Sequence, residues 1–451
     1  MKVEPNLVLR GTELSGNGKD EEMSIAVVGM LDEREEALRI IKDRIERLGH
    51  QAILIDVSIG TGAITPDLKP DVGSDEVARL GGGPIETIKR TLSSERKKPV
   101  SIIAEGLARK VLDLYQSGEL EGIIAIAGMT GTFISITAMK ALPFGVPKLL
   151  ISSATANPAY ANKFADYFRL KDITVMHSVV DTVGMNPLVR MLATNGANAI
   201  CGMVEGFEPI HSETRPVIAI TEFGFVDKGA HYIRELLEKD YTLVSFHATG
   251  LGDRTARDMV SQGLFQAFID LVPASFSEYL FGGTRASGPD RLDGARDFNI
   301  PYVLAPCGFD MIGCGPIERK DKGDPLWESR NLAARKFLVQ DEFRVQARTN
   351  VNEMEIIARS VAEKLNQYKN KRRVKFVIPK KGFSSLSVEG GILCDPVADQ
   401  AFIAELKKSL APEIKVYEVE AHINTLEFAS VVVEALRESF GHQDEKPSET
   451  S

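Results

Sequence analysis

The chain has 451 residues, 43% of them hydrophobic and 26% charged, which are ordinary values for a globular protein. They exclude disorder throughout, a collagen-like repeat and a disulfide-stapled miniprotein, and the length argues for about two or three domains. The formal net charge of -9 argues against a general nucleic-acid or acidic-membrane binder but leaves room for a small anion held by backbone amides.

Residues 1–22 are polar and charged and read as a flexible arm with no secretory signal. The stretch Gly16–Lys19 fails as a phosphate loop, because Glu13 and Asp20 stand where the motif needs other residues and no strand precedes it. An apolar run at 25–29 predicts a buried strand. Leu38, Ile41, Ile45 and Leu48 recur at helical spacing within 33–48, and 52–57 predicts a second strand. Residues 58–84 are rich in Gly, Pro and Asp and read as a long loop with one short helix. A helix follows at 101–115, then a strand at 122–127 and a helix at 133–142. The 18 residues 122–139 carry no charge, but three glycines, three threonines and a serine make them a strand, a glycine turn and a helix rather than a membrane span. Strands at 147–151 and 173–176 and a helix at 187–205 complete a first domain, 23–207.

The polar stretch 208–216, with two prolines, is the predicted boundary. Beyond it strands are expected at 217–221, 242–247, 267–271, 302–305, 374–378 and 415–420. Helices are expected at 230–239, 254–262, 352–369, 397–410 and 426–440, with an irregular stretch at 308–335. The second domain is therefore 208–440, followed by a polar tail at 441–451. Strands apolar on both faces and alternating with helices predict an α/β protein of two Rossmann-like lobes with mainly parallel sheets, with the cleft between the lobes as the default ligand site.

Ligands of open parallel sheets bind beyond the carboxyl ends of strands. After 122–127 comes Gly128-Met129-Thr130-Gly131-Thr132, and after 242–247 comes Ala248-Thr249-Gly250-Leu251-Gly252-Asp253-Arg254. Glycines let backbone approach a phosphate, a following helix start supplies amides, and Thr130, Thr132 and Thr249 supply hydroxyls. The competing reading is two tight strand-to-helix turns. Asp56 is either a ribose contact or a loop cap. Two further clusters mix glycine with charge: 282–291, with Asp290 and Arg291, and 306–316, with Asp310. Arginine suits bidentate phosphate binding and carboxylates suit Mg2+, so Asp253, Asp290 and Asp310 are the magnesium candidates, and Arg254 and Arg291 would neutralise phosphate charge. A capped turn for Asp290 and an ion pair for Arg291 are the alternatives. His247 is the best-placed acid, base or phosphate ligand, with a structural histidine as its alternative; Asp310 is the other catalytic candidate. Neither H-E-x-x-H nor G-x-S-x-G occurs, which argues against a zinc hydrolase and a nucleophile elbow. Cys307 and Cys314 read as buried free thiols, and four cysteines without C-x-x-C suit a reducing, cytoplasmic setting.

HATGLGDR (247–254), QGLFQAFIDL (262–271), GPDR (288–291) and GFDMIGCGP (308–316) resemble the ATP-binding family named for the tomato mosaic virus resistance protein. GVPKLLIS (145–152), SVVDTVGMN (178–186), GFSSLSVEGG (382–391), CDPVADQAF (394–402) and AHIN (421–424) extend the resemblance over about residues 24–440. It implies two Rossmann-like domains, ATP binding and a homodimer, and it makes a separate TIM-barrel-like protein a possible partner. It places the glycine-rich loop on Ala127 to Thr132 and the HATGLGGR string on His247 to Arg254. The sequence departs from the family where G-G-S-G-G-T becomes Ala127-Gly128-Met129-Thr130-Gly131-Thr132 and where His-Asn-Pro becomes Gln340-Asp341-Glu342. The connection at 158–172 also differs. The resulting expectation is a protein that binds ATP or a related nucleotide with Mg2+. Three functional readings stand: phosphoryl or nucleotidyl chemistry, a nucleotide-regulated protein-binding module without turnover, and a small-molecule binder without nucleotide. A phosphate held by the second loop would need the space beside Gly250, so Gly250→Val is expected to block the ligand and spare the fold.

Overall fold

The computed structural model describes residues 22–91, 94–95, 97–156, 171–207, 215–261 and 263–441. The arm before residue 22, the tail beyond 441, and most of the 158–172 connection and the 208–216 boundary lie outside the described residues. The described chain falls into two compact units, one on either side of residues 208–214.

The N-terminal unit is built on five strands: β1 (Ser24–Gly29), β2 (Gln51–Asp56), β3 (Gly122–Ala127), β4 (Lys148–Ser152) and β5 (Thr174–His177). They pair in parallel in the order β2-β1-β3-β4-β5. Successive side chains of a strand point to opposite faces, and the sequence is apolar at both parities. Ile25 and Val27 of β1 join Ile124 and Ile126 of β3 in a core under helices Leu31–Arg47 and Pro187–Glu205. Ala26 and Val28 join Ile123 and Ala125 in a second core under helices Lys97–Ser117 and Met129–Ala141. Buried on both faces, such strands need helices on both sides of the sheet. The predicted loop at 58–84 contains helix Ser74–Leu80 and is followed by helix Ile85–Thr91.

The C-terminal unit repeats the plan. Its strands are β6 (Val217–Glu222), β7 (Thr242–His247), β8 (Ala267–Asp270), β9 (Tyr302–Leu304), β10 (Met311–Gly313), β11 (Phe337–Val339), β12 (Val345–Arg348), β13 (Val374–Pro379) and β14 (Lys415–Val419). Six form a parallel sheet in the order β14-β13-β9-β8-β6-β7. In both units the second strand flanks the first on one side and the third on the other. The order reverses between β1 and β3 and between β6 and β8, the points where such folds open a crevice beyond the strand ends.

Strands that the sequence did not predict follow β9, one of them (β10) within the irregular stretch at 308–335 and two beyond it. β10, β12 and β11 form a separate antiparallel sheet. It has its own small core of Cys314, Leu326, Trp327, Leu332, Val345 and Ala347. Three- and four-residue strands are too short to show an alternating pattern. Helix Ala274–Phe281 was likewise not expected. Several helices begin earlier than predicted. Met129–Ala141 and Leu251–Ser261 take the distal glycines of both glycine strings into their first turns.

Candidate functional site

In the N-terminal unit Gly128 caps helix Met129–Ala141 with extended backbone. A Cβ on Gly131 would meet the Ala127 Cβ at 3.0 Å, so this glycine serves close helix–strand packing. Thr132 is buried, and its hydroxyl lies 2.6 Å from the Ser152 hydroxyl; Thr130 beside it is half-buried. Arg34 lies over the turn, with its Nη2 2.7 Å from where a Gly128 Cβ would be. The same guanidinium donates to Thr182 Oγ1 at 2.8 Å and pairs with Glu33 and Asp181. Asp56 accepts from the amides of Leu31 at 3.1 Å and Ser58 at 3.0 Å, which is the loop-cap alternative.

In the C-terminal unit, several residues read as phosphate or metal ligands are bonded within the protein. Arg291 donates to Asp253 Oδ1 at 2.8 Å and to both oxygens of Asp270 at 2.7 and 2.8 Å. Tyr302 and Thr221 each donate to Asp270 at 2.6 Å, and Gly250 N donates to the other Asp253 oxygen at 2.7 Å. Burial opposes the charge on Arg291, but Asp270 and Asp253 outweigh it and hold the guanidinium protonated well above its usual range. Burial, reinforced by Asp270, pushes the Tyr302 phenol up. This network ties β6, β8 and β9 to the loop that follows helix Ala274–Phe281. It is the ion-pair alternative for Arg291 and it engages Asp253 as well.

Arg254 Nε donates to the Ser287 carbonyl at 2.7 Å. Asp290 pairs with Arg257, which outweighs partial burial and lowers its carboxyl below the usual range. Asp310 is fully buried and accepts from Gly308 N at 3.0 Å and Ser384 Oγ at 2.5 Å. Its neighbour Asp399 pairs with Arg348 at 2.5 Å, yet burial raises that carboxyl to about 7. Asp253, Asp290 and Asp310 thus stand in three separate settings, and no group of three metal-binding side chains forms among the described residues. Gly250 has φ +87°, and a Cβ there would lie 2.4 Å from the Arg285 carbonyl oxygen. A Cβ on Gly252 would lie 2.2 Å from the His247 carbonyl oxygen. The space that a side chain would take at both glycines is filled by backbone. Cys307 and Cys314 are buried free thiols, and burial pushes Cys314 up to about 12.

A cavity of about 660 Å³ in this unit lies beyond the carboxyl ends of β6 and β7. The chain leaving β6 supplies Phe223, Phe225 and Asp227, the last residue of β7 supplies His247, and the turn beyond it supplies Thr249. Arg285 lies on a third side, and the β11–β12 hairpin closes the site with Gln340, Arg344 and Gln346. Phe223 and Phe225 meet edge to face at 5.1 Å, and the Arg285 guanidinium stands 5.5 Å from the Phe223 ring centroid. Glu278, wholly buried, aims Arg285: its Oε1 accepts from Nε at 2.7 Å and its Oε2 from the Arg285 amide at 2.7 Å. Gln346 accepts from Nη2 at 3.0 Å. Nη1 takes part in none of these bonds. Of the residues expected at a site, His247 and Thr249 line the cavity. Arg285, Glu278 and Asp227 were not anticipated. One signal did point at the hairpin, since the family departure at Gln340-Asp341-Glu342 falls on its tip.

The fold and the cavity define a two-unit Rossmann-like α/β protein with a small-molecule-sized pocket in its second unit. The chain belongs to the uncharacterised protein family UPF0261, whose N-terminal domain matches residues 23–209 and whose C-terminal domain matches residues 215–440. A UPF0261 protein of Clostridium tetani is 33% identical over 91% of this chain and 98% of its own length. One from Brucella suis is 28% identical over 90% of this chain and 93% of its own. The tomato ToMV resistance protein Tm-1(GCR237) is 30% identical over 77% of this chain, a match that spans 45% of the tomato protein. Among solved structures, the UDP-N-acetylglucosamine 2-epimerase of Rickettsia bellii covers 62% of this chain and 78% of its own, at 10% identity and a TM-score of 0.21. That likeness is too slight to bear on function. No described helix is long and apolar enough to cross a membrane.

Proposed function

We propose that the C-terminal unit binds a small anionic molecule in the cavity beyond β6 and β7, and that this molecule is ATP or a related nucleotide, the ligand the family resemblance implies. The observation that carries the reading is Arg285. A buried glutamate holds its guanidinium by one edge and leaves Nη1 outside that grip, and Arg285 lines the cavity together with His247 and Thr249. A guanidinium held in place in this way loses little entropy on meeting an anion. Thr249 lies just before helix Leu251–Ser261, whose positive end also favours negative charge. The Phe223–Phe225 pair offers an apolar wall for a planar ring. The volume lies within the range of small-molecule sites.

A binding role without turnover is the second reading. It is favoured by the carboxylates of Asp253, Asp290 and Asp310, each of which is bonded within the protein. Magnesium would then enter on the nucleotide's own phosphates with its water shell.

Thermal shift and titration calorimetry with ATP, ADP and inorganic phosphate, with and without magnesium, test the reading. Ligand at about 100 times its Kd adds about 2.7 kcal/mol of stability. Arg285→Lys keeps a cation beside Glu278 but loses the fork, and is expected to weaken binding about tenfold, or about 1.4 kcal/mol. No shift at millimolar ATP with folded protein rejects the nucleotide, and unchanged affinity in Arg285→Lys moves the site elsewhere.

A further inference from the structure

One carboxylate in the cavity does not suit a purely anionic ligand. Of the formally charged side chains that line it, Glu222 holds Arg234 at 2.6 Å, Arg285 is held by Glu278 at 2.7 Å, and Arg344 is held by Asp341 at 2.6 Å. The Asp227 side chain makes no hydrogen bond or ion pair with any described residue. It stands in the first turn of helix Asp227–Leu237, exposed, on the chain leaving β6. With their partners included, four carboxylates (Glu222, Asp227, Glu278, Asp341) accompany three guanidiniums (Arg234, Arg285, Arg344). A bare phosphate or polyphosphate entering this cavity gains from Arg285 and loses to Asp227. A ligand that brings hydrogen-bond donors to Asp227 turns that loss into a gain, because an ionised carboxylate only accepts. Two adjacent hydroxyls suit its two oxygens, as acidic residues at Rossmann-type strand ends show with ribose.

We infer that Asp227 accepts hydrogen bonds from the sugar hydroxyls of the bound molecule, so that the cavity selects a sugar-bearing phosphate over a bare one. The inference rests on the anion-binding reading of the same cavity. The competing role for Asp227 is to complement the positive end of its own helix, a contribution to stability that is blind to ligand.

Calorimetry on the full chain with ATP, ribose 5-phosphate and inorganic tripolyphosphate separates these roles. Wild type is expected to bind ATP at least about tenfold tighter than tripolyphosphate, since sites built to bond a hydroxyl reject ligands that lack it. Asp227→Asn lies on an exposed helix start and is expected to fold. It should weaken ATP and ribose 5-phosphate about tenfold and tighten tripolyphosphate, because the repelling charge is gone. A helix-end role cannot tighten one ligand while weakening another. The inference is overturned if the ATP and tripolyphosphate affinities of Asp227→Asn move together or stay put, with only a lower melting temperature. Equal binding of ATP and tripolyphosphate by wild type also overturns it, but leaves the Arg285 anion site standing. Wild type that binds none of the three overturns the inference and the anion-binding reading together.

Discussion

Asp270 and Arg291 meet through both carboxylate oxygens and both terminal guanidinium nitrogens, 2.7 Å for Nη1–Oδ2 and 2.8 Å for Nη2–Oδ1, and both side chains are buried. Asp253 completes the arrangement from the start of helix Leu251–Ser261. A charge taken out of water is tolerated only with its partner present.

Arg291→Met removes the cation and strands two buried carboxylates. The expected cost is about 3–5 kcal/mol of unfolding free energy in chemical denaturation. A phosphate-binding role would instead leave stability intact and abolish ligand affinity.

Gly250→Val meets both the Arg285 carbonyl oxygen, 2.4 Å from its new Cβ, and a left-handed φ of +87°. A β-branched residue in that conformation is strained before any clash is counted. Loss of at least about 2 kcal/mol is expected in a denaturant melt. A variant of wild-type stability that has lost only its ligand would restore the phosphate-space role for this glycine.

Asp310→Asn keeps an oxygen for Gly308 N and an amide that can donate to Ser384. Exchanging one buried bond for another of similar geometry costs about 1 kcal/mol. Ligand affinity is expected to stay within about twofold, far from the tenfold loss that a magnesium ligand would show, since 1.4 kcal/mol is a factor of about ten. A tenfold drop in calorimetry would return Asp310 to the site.

Glu438 on helix Leu426–Phe440 takes Lys415 at 2.7 Å, Tyr417 and Lys375, and these bonds lower its carboxyl to about 2. A lowered folded-state value means that stability is fully present above the unfolded value near 4.5 and is lost as pH falls toward 2. Glu438→Gln is therefore expected to flatten the melting temperature between about pH 5 and pH 2, read by calorimetric scans. A parallel fall in wild type and variant would assign the acid sensitivity elsewhere.

The parallel sheets were legible because their strands are apolar at both parities and their helices recur at 3.6 residues, as at Leu38, Ile41 and Ile45. The strand-end rule likewise brought His247 and Thr249 to the cavity. Composition could not separate a charged residue that faces a cavity from one buried against its opposite charge. Arg291 and Arg285 lie six positions apart in one polar loop; one is locked between Asp253 and Asp270, and the other reaches the cavity. The difference depends on contacts 21 to 61 residues away in the chain, Asp270 for Arg291 and Gln346 for Arg285. Composition was also silent on what fills the space beside a glycine. Gly250 and Gly252 yield space, but to neighbouring carbonyls.

The antiparallel sheet β10-β12-β11 enters the chain between β9 and β13, keeps a core of its own, and still furnishes one side of the cavity through Gln340, Arg344 and Gln346. The parallel sheet closes without it, pairing β9 directly with β13. The lining of the cavity can therefore change by rewriting an insert while the scaffold stands. A hairpin graft is the natural engineering handle: replacing the tip at 340–344 should change the lining of the pocket without repacking a single strand of the main sheet.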